Sequence, residues 1–328
     1  MSGRSLSFAV AVLGLVGSAL AQEGQWLQNF EDAKAKAKAD GKDLLVDFTG
    51  SDWCVWCKRL DAEVFAEKAF QDGVAKGYVL VKLDFPKDEN LVTEAIKKQN
   101  AQLQSDYKIQ GFPTILLMDP AGRPYAQTGY QQGGAAPYLE HLAGLQKAKA
   151  ARDEHFGKAK GAEGAERAKH LAAGLDAMAE EVVMQHYKAE VDEVMKLDAD
   201  GKAGLKAKYE AKLAMVELEE KFQELAQNGD WDAVDKYMAE LLTKYKGNVD
   251  IEQKATFYRA VVLIEDKHDF AGALKGIDAA RAIAPDSEFG KRLEQIRKNV
   301  ERIQKQQEEQ DGKDKKDDKK DEKKDGGH

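Results

Sequence analysis

A chain of 328 residues with 50 Lys and Arg against 58 Asp and Glu carries a net charge of −8. That balance argues against a nucleic-acid partner, which needs a basic surface. Once the ends are set aside the length suits one or two folded domains, and the 2 cysteines exclude a disulfide-rich scaffold. The first stretch, MSGRSLSFAVAVLGLVGSALAQ, reads as a signal peptide over residues 1–21: Arg4, an apolar core from Leu6 to Val16, and a small-x-small site ending at Ala21. The apolar run is short for a bilayer span of about 20 residues, and no other segment is apolar enough to cross. The expected product is exported, periplasmic or otherwise extracytoplasmic, with no membrane span after signal cleavage.

Residues 22–148 alternate helix and strand signals. WLQNFEDAKAKAKADGK predicts a helix stopped at Gly41. DLLVDFTG predicts a buried strand. CVWCKRLDAEVFAEKAFQDGV predicts one helix, with Leu60, Val64 and Phe65 at helical spacing. YVLVKLDF is the next strand, NLVTEAIKKQNAQLQSDYK a helix and TILLMD a strand. After the PAGRP turn, YAQTGYQ closes a hairpin on TILLMD, and APYLEHLAGLQKAKA is a helix. Such alternation predicts an α/β layer fold with a covered sheet.

Over residues 149–308 strand signals vanish and an all-helical domain is expected. Two helix pairs join at Asn228-Gly229-Asp230 and at His268-Asp269-Phe270. The Asp230-Trp231 and Asp269-Phe270 junctions lie 39 residues apart, near the period of tetratricopeptide-like helix pairs. Trp231, Tyr237, Phe257, Tyr258 and Phe270 fall at helical spacing and are expected in the core; His170, His186 and His268 lack metal spacing and are expected at the surface. DADGKAG lacks the full ligand run of a calcium loop. Residues 309–328, nearly all Lys, Asp and Glu, have no apolar residue to bury and are expected to form a disordered charged tail.

Both cysteines, Cys54 and Cys57, stand directly after an apolar strand, at the start of a helix. Unpaired N–H groups of the first helical turn favour a thiolate at Cys54, and cysteines in such places have pKa values lowered to about 3.5–7.5. Cys57, one turn on, is placed to attack a mixed disulfide formed at Cys54. Two thiols fall short of a structural zinc site, and His155 or His170 would have to come from another segment. A purely structural disulfide closes too short a loop to constrain the unfolded chain much. Redox chemistry is therefore expected, with no cofactor beyond a redox-active Cys54–Cys57 disulfide and no metal.

The ordered residues LLVDF…WCVWCK…VLVKLDF…IQGFPTILLMD…TGY resemble thioredoxin. The resemblance spans about residues 25–148 and implies the thioredoxin-like fold, a central mixed sheet flanked by helices, followed here by the helical-repeat-like domain. It also implies a cis peptide bond between Phe112 and Pro113, facing the cysteines, with the Phe112 backbone free to pair with an extended substrate. Asp47 matches the family's buried acid, a proton acceptor for Cys57; Lys82 matches the lysine near that acid; Trp53 matches the aromatic beside the nucleophile. Lys58 adds positive charge after the motif. Trp53, Val55, Trp56, Phe112 and Pro113 form the expected substrate-contacting set. Val55-Trp56 replaces the Gly-Pro of ordinary thioredoxin, and WCVxCK resembles the periplasmic reductase domain of transmembrane thiol electron carriers. Thr49 replaces an aromatic, the turn to Trp53 is longer by one residue, and the stretch between Lys82 and Ile109 is long.

These readings predict an exported thiol–disulfide oxidoreductase acting on disulfide-containing client proteins, served by a thiol electron donor or acceptor. Reductase is favoured over isomerase or oxidase. The alternative is a non-catalytic scaffold whose helical pairs bind a protein and whose cysteine pair is structural.

Overall fold

The computed structural model describes residues 26–325; the expected signal peptide lies outside them. Of these described residues, those up to Ala151 together with Ala177–His186 make one compact unit, and Arg152–Asp176 with those from Tyr187 onward make the other.

In the first unit, α1 (Phe30–Asp40) starts where the Asn29 side chain accepts the Asp32 N–H and ends at Gly41, whose φ of 65° is left-handed. The predicted helix began earlier, at Trp26. Leu27 instead bridges Val81 in parallel, its N–H bonding to Leu80 O and its carbonyl to the Lys82 N–H, which covers an otherwise open sheet edge. Strand β1 (Asp43–Thr49) is buried at every residue. The single helix expected next is three pieces: α2 (Val55–Leu60), a π-helical turn (Asp61–Phe65) and α3 (Lys68–Val74). In the π turn the Ala66 N–H reaches back to Asp61 O, and the consecutive residues Val64 and Phe65 are both buried.

Strand β2 (Tyr78–Asp84) is followed by a 3₁₀ turn (Glu89–Leu91) and α4 (Glu94–Asp106), capped by Thr93. Then come the hairpin β3 (Thr114–Met118) and β4 (Pro124–Thr128), and α5 (Ala135–Lys160), which runs ten residues past the expected end at Ala150. The sheet order is β2-β1-β3-β4, with β1–β2 parallel and the other pairs antiparallel. This is the mixed sheet with flanking helices of the thioredoxin-like fold. Leu44, Val46 and Phe48 of β1 pack with Phe30, Ala33 and Ala37 of α1. Strand periodicity then turns Leu45, Asp47 and Thr49 to the opposite face.

Beyond α6 (Gly164–Asp176) the chain returns to the first unit as α7 (Glu180–His186). Gln127 of β4 donates to Glu181, and Arg123 donates to the His186 carbonyl. His186, expected at the surface, packs on Tyr107 at 5.8 Å; burial, with Lys108 and Arg123 close, lowers its pKa to about 4.

The second unit is all-helical, continuing through α8 (Lys188–Leu197), α9 (Leu205–Gln227), α10 (Trp231–Lys244), α11 (Val249–Glu265), α12 (Phe270–Ile283) and α13 (Glu288–Asp325). The DADGKAG loop is a cap: the buried Asp198 carboxylate accepts the backbone N–H groups of Ala203, Leu205 and Lys206 at 2.7–2.9 Å. The two junctions 39 residues apart are the N-caps of α10 and α12. Asp230 accepts the Ala233 N–H and Asp269 the Gly272 N–H, the same offset in each copy. Trp231, Tyr237 and Tyr258 pack on one apolar cluster, Phe257 and Phe270 on another. Helix α13 runs to Asp325, through most of the stretch for which composition predicts disorder; Lys, Glu and Gln are strong helix formers.

Close packing of α11 on α12 gives a sharp prediction. A Cβ on Gly276 would lie 2.7 Å from the Ala260 methyl, whereas one on Gly144 of α5 meets nothing within 4 Å. Gly276→Ala should therefore destabilise the protein by about 1–3 kcal/mol, while Gly144→Ala should stabilise it by about 0.5–1 kcal/mol. Urea unfolding of the two variants beside the parent checks both signs.

Candidate active site

Strand β1 leaves the sheet at Thr49 and the chain turns through Gly50–Trp53 into α2. Gly50 must be bare: a Cβ there would sit 2.6 Å from the Trp53 ring. Three side chains tie this turn to the end of β2 and the residues after it. Ser51 donates its N–H and its hydroxyl to the Asp84 carboxylate at 2.9 and 2.6 Å. The Asp52 carboxylate accepts the N–H groups of Asp88 and Lys87 at 2.8–3.0 Å, bonds that hold its pKa below the usual carboxylate range. Trp53 donates its indole N–H to Phe85 O at 2.8 Å. The long stretch between Lys82 and Ile109 thus begins as a brace for the cysteine turn.

Cys54 is the N-cap of α2, and Cys54 and Cys57 form a disulfide with Cα atoms 5.2 Å apart. The Cys57 backbone N–H donates to the Cys54 sulfur at 3.2 Å. The first-turn donor expected to stabilise a thiolate is therefore aimed at the sulfur. In this oxidised form both cysteines are largely buried, Cys54 at 6 % exposure and Cys57 at 3 %, whereas the residues around them are open: Trp53 40 %, Val55 67 % and Trp56 52 %. Lys58 turns away to donate to the Asp52 carbonyl at 2.5 Å.

The Phe112–Pro113 bond is cis, as the resemblance implies. Phe112 meets Trp53 edge-on at 6.0 Å and stacks on Phe85 at 4.9 Å. Trp56, Arg59, Phe112, Pro113, Tyr130 and Gln132 line a groove of about 480 Å³. Of the expected substrate-contacting set, Trp56, Phe112 and Pro113 line this groove; Trp53 buttresses Phe112, and Val55 projects into solvent outside the groove lining.

Asp47 is 2 % exposed and one of its carboxyl oxygens, Oδ1, has no hydrogen-bond partner. Desolvation raises its pKa to about 8, against a lowering by Lys82 and further raising by Asp61 and Asp84. Lys82 is the register partner of Asp47 on β2. Its ammonium, however, pairs with Asp61 on the π turn, at 3.1 Å, and makes no ion pair with Asp47. The expected Asp47–Lys82 pair is thus a set of three, Asp61 taking the lysine's charge and leaving Asp47 poised to exchange a proton near neutrality.

Asp61, Arg59, Glu63 and Tyr130 were absent from the expected site. Arg59 and Glu63 carry an i,i+4 signal, and Tyr130 belongs to the TGY segment, but only the folded chain sets Tyr130 beside α2. His155 and His170, the remote zinc candidates, have rings 6.1 Å apart in the second unit, and among the described residues no group of three or more His, Cys, Asp or Glu side chains suits a metal ion. Among them, too, no helix is long and apolar enough to cross a membrane.

The thioredoxin-like domain model matches residues 30–143. The disulfide bond reductase DsbH of Chlamydia pneumoniae is 31% identical over 118 residues, covering 36% of this chain and 70% of that protein. The thiol:disulfide interchange protein DsbD of Vibrio cholerae is 30% identical over 162 residues, 42% of this chain but 25% of its own length. Among solved structures a DsbH oxidoreductase covers 44% of this chain and 95% of its own, at 28% identity and a TM-score of 0.36.

Proposed function

The chain belongs to the thioredoxin-like family, and from that premise we propose that it is an exported disulfide reductase whose redox couple is Cys54 and Cys57. The observation that carries the reading is the cysteine pair at the N-cap of α2, with its intervening Trp56 facing Phe112 and cis-Pro113 across the groove.

In the reduced protein the Cys54 thiolate attacks one sulfur of a client disulfide, and the client's other sulfur leaves as a thiol. Cys57 gives its proton to the Asp47 carboxylate and attacks the Cys54 sulfur. The client's second thiol departs and the Cys54–Cys57 disulfide forms. Two electrons have passed to the client, and an external thiol donor restores the pair. Phe112, Pro113 and Trp56 hold the client segment as an added strand during the exchange. The helical unit selects or positions a client or donor.

Insulin reduction by the dithiothreitol-recycled protein tests the activity. Turnover above the dithiothreitol background is expected, with alkylation of Cys54 well below the ordinary thiol pKa of about 8.5. Two inert thiols and no turnover would leave the cysteine pair structural. A reduction potential nearer the roughly −270 mV of thioredoxin than the roughly −120 mV of a strong dithiol oxidant would fix the direction as reductive.

A further inference from the structure

Among the described residues that line the groove beside the cysteines, Arg59 is the cation, and its setting is specific. Arg59 lies on α2, five residues after Cys54. Its guanidinium sits 5.2 Å from the Trp56 ring centre and 5.1 Å from that of Tyr130, while the two rings are 5.3 Å apart. Glu63 completes the frame: one carboxylate oxygen accepts Arg59 Nε at 2.8 Å and the other accepts the Tyr130 hydroxyl at 2.6 Å. These contacts raise the Arg59 pKa and lower that of Glu63, so both stay charged. The side chain remains half-open to solvent and lines the same groove as Phe112 and Pro113.

A guanidinium set against the edge of a ring pair and anchored through Nε has its terminal nitrogens directed by the frame, and less rotamer freedom remains to be lost on binding. The ligand that matches a fixed fork of N–H donors is a carboxylate. We propose that Arg59 is a specificity-determining residue, selecting partner segments that carry Asp or Glu close to the cysteine being exchanged. This rests on the reductase reading above. The Trp56 and Tyr130 rings position Arg59, and Glu63 fixes the direction in which it presents its charge. Lys could not replace it, because a flexible ammonium offers no fork and no Nε anchor to Glu63.

The test uses the full chain, pre-reduced, against three synthetic peptides activated as neutral thiopyridyl mixed disulfides. The residues flanking the single cysteine are Glu in one, Gln in the second and Lys in the third; released thiopyridone reports the second-order rate. The Glu peptide is expected to react roughly five-fold faster than the Gln peptide at low salt, the gain of a partly exposed charge-assisted pair, and the Lys peptide slowest. High salt should shrink the spread. Arg59→Gln should bring the Glu peptide down to the Gln rate, and Arg59→Lys should keep only part of the preference. Equal rates for Glu and Gln peptides with the parent protein, or an unchanged preference in Arg59→Gln, would overturn the proposal while the reductase reading stands. Failure to react with any peptide above a free-thiol control would sink both.

Discussion

Cys54→Ser should reduce insulin turnover to the rate of dithiothreitol alone, and Cys57→Ser should instead stall with client attached. The two outcomes differ because the sulfurs hold different places. Cys54 caps α2 and receives the Cys57 N–H at 3.2 Å, so its thiolate is stabilised by a helix-terminal donor and is the competent nucleophile and leaving group. A serine hydroxyl there cannot form the mixed disulfide at all. Cys57 is already inside the helix, behind the open residues Val55 and Trp56, and its part is the second displacement. Without it the mixed disulfide has no internal attacker. Non-reducing electrophoresis and intact mass should show a client-sized addition on Cys57→Ser that dithiothreitol removes. Trapping on Cys54→Ser through Cys57 would reverse the assigned order.

The second large effect concerns Asp47, where stability and activity should move in opposite directions. The folded carboxyl keeps its proton up to about pH 8, whereas the unfolded one ionises near 3.8, the ordinary value for an aspartate. Between those pH values unfolding releases a proton, so stability is greatest at the acid end and falls as pH rises toward 8. Above that both states are ionised and the slope disappears. Asp47→Asn removes this dependence and should be more stable than the parent at pH 8. The upper bound is on the order of 5 kcal/mol, with the amide's own unmet hydrogen bonds taking some of it back. The same change removes the acceptor for the Cys57 proton. With a pKa of about 8, roughly a tenth of Asp47 is ionised at pH 7 and able to accept that proton; losing it should slow client release by on the order of 10- to 100-fold there, and the loss should narrow above about pH 8.5, where a free thiol ionises unaided. Urea denaturation across pH, with single-turnover kinetics on the same samples, reads both. A variant that gains stability yet keeps its neutral-pH rate would remove Asp47 from the proton path.

Much of this site is local in the sequence. A strand's apolar run, a tight turn and two thiols one helical turn apart need only short-range geometry, so β1, α2 and the Cys54–Cys57 pairing are legible from residues 43–60 alone. The N-caps Asp230 and Asp269 are legible for the same reason: an Asp before an amphipathic run has one favourable use, and the 39-residue repeat of that use marks two copies of a helix pair. Gly41 likewise ends α1 because the chain needs a left-handed residue there.

What chain order leaves open is which distant side chain answers a charge. Lys82 and Asp47 stand side by side in register, yet the lysine's ion pair is with Asp61, because a buried carboxyl with no other partner is more stable protonated than ionised, and a half-exposed carboxylate offers the ammonium a hydrated alternative. The return of α7 to the first unit, the π turn that buries both Val64 and Phe65, and the closing of Tyr130 over Arg59 are decided the same way. Local propensity names the elements and the nucleophile, since hydrogen bonds within a few residues determine them. Burial and long-range packing decide each acid's proton and each cation's neighbour, since those energies depend on what the completed fold removes from water.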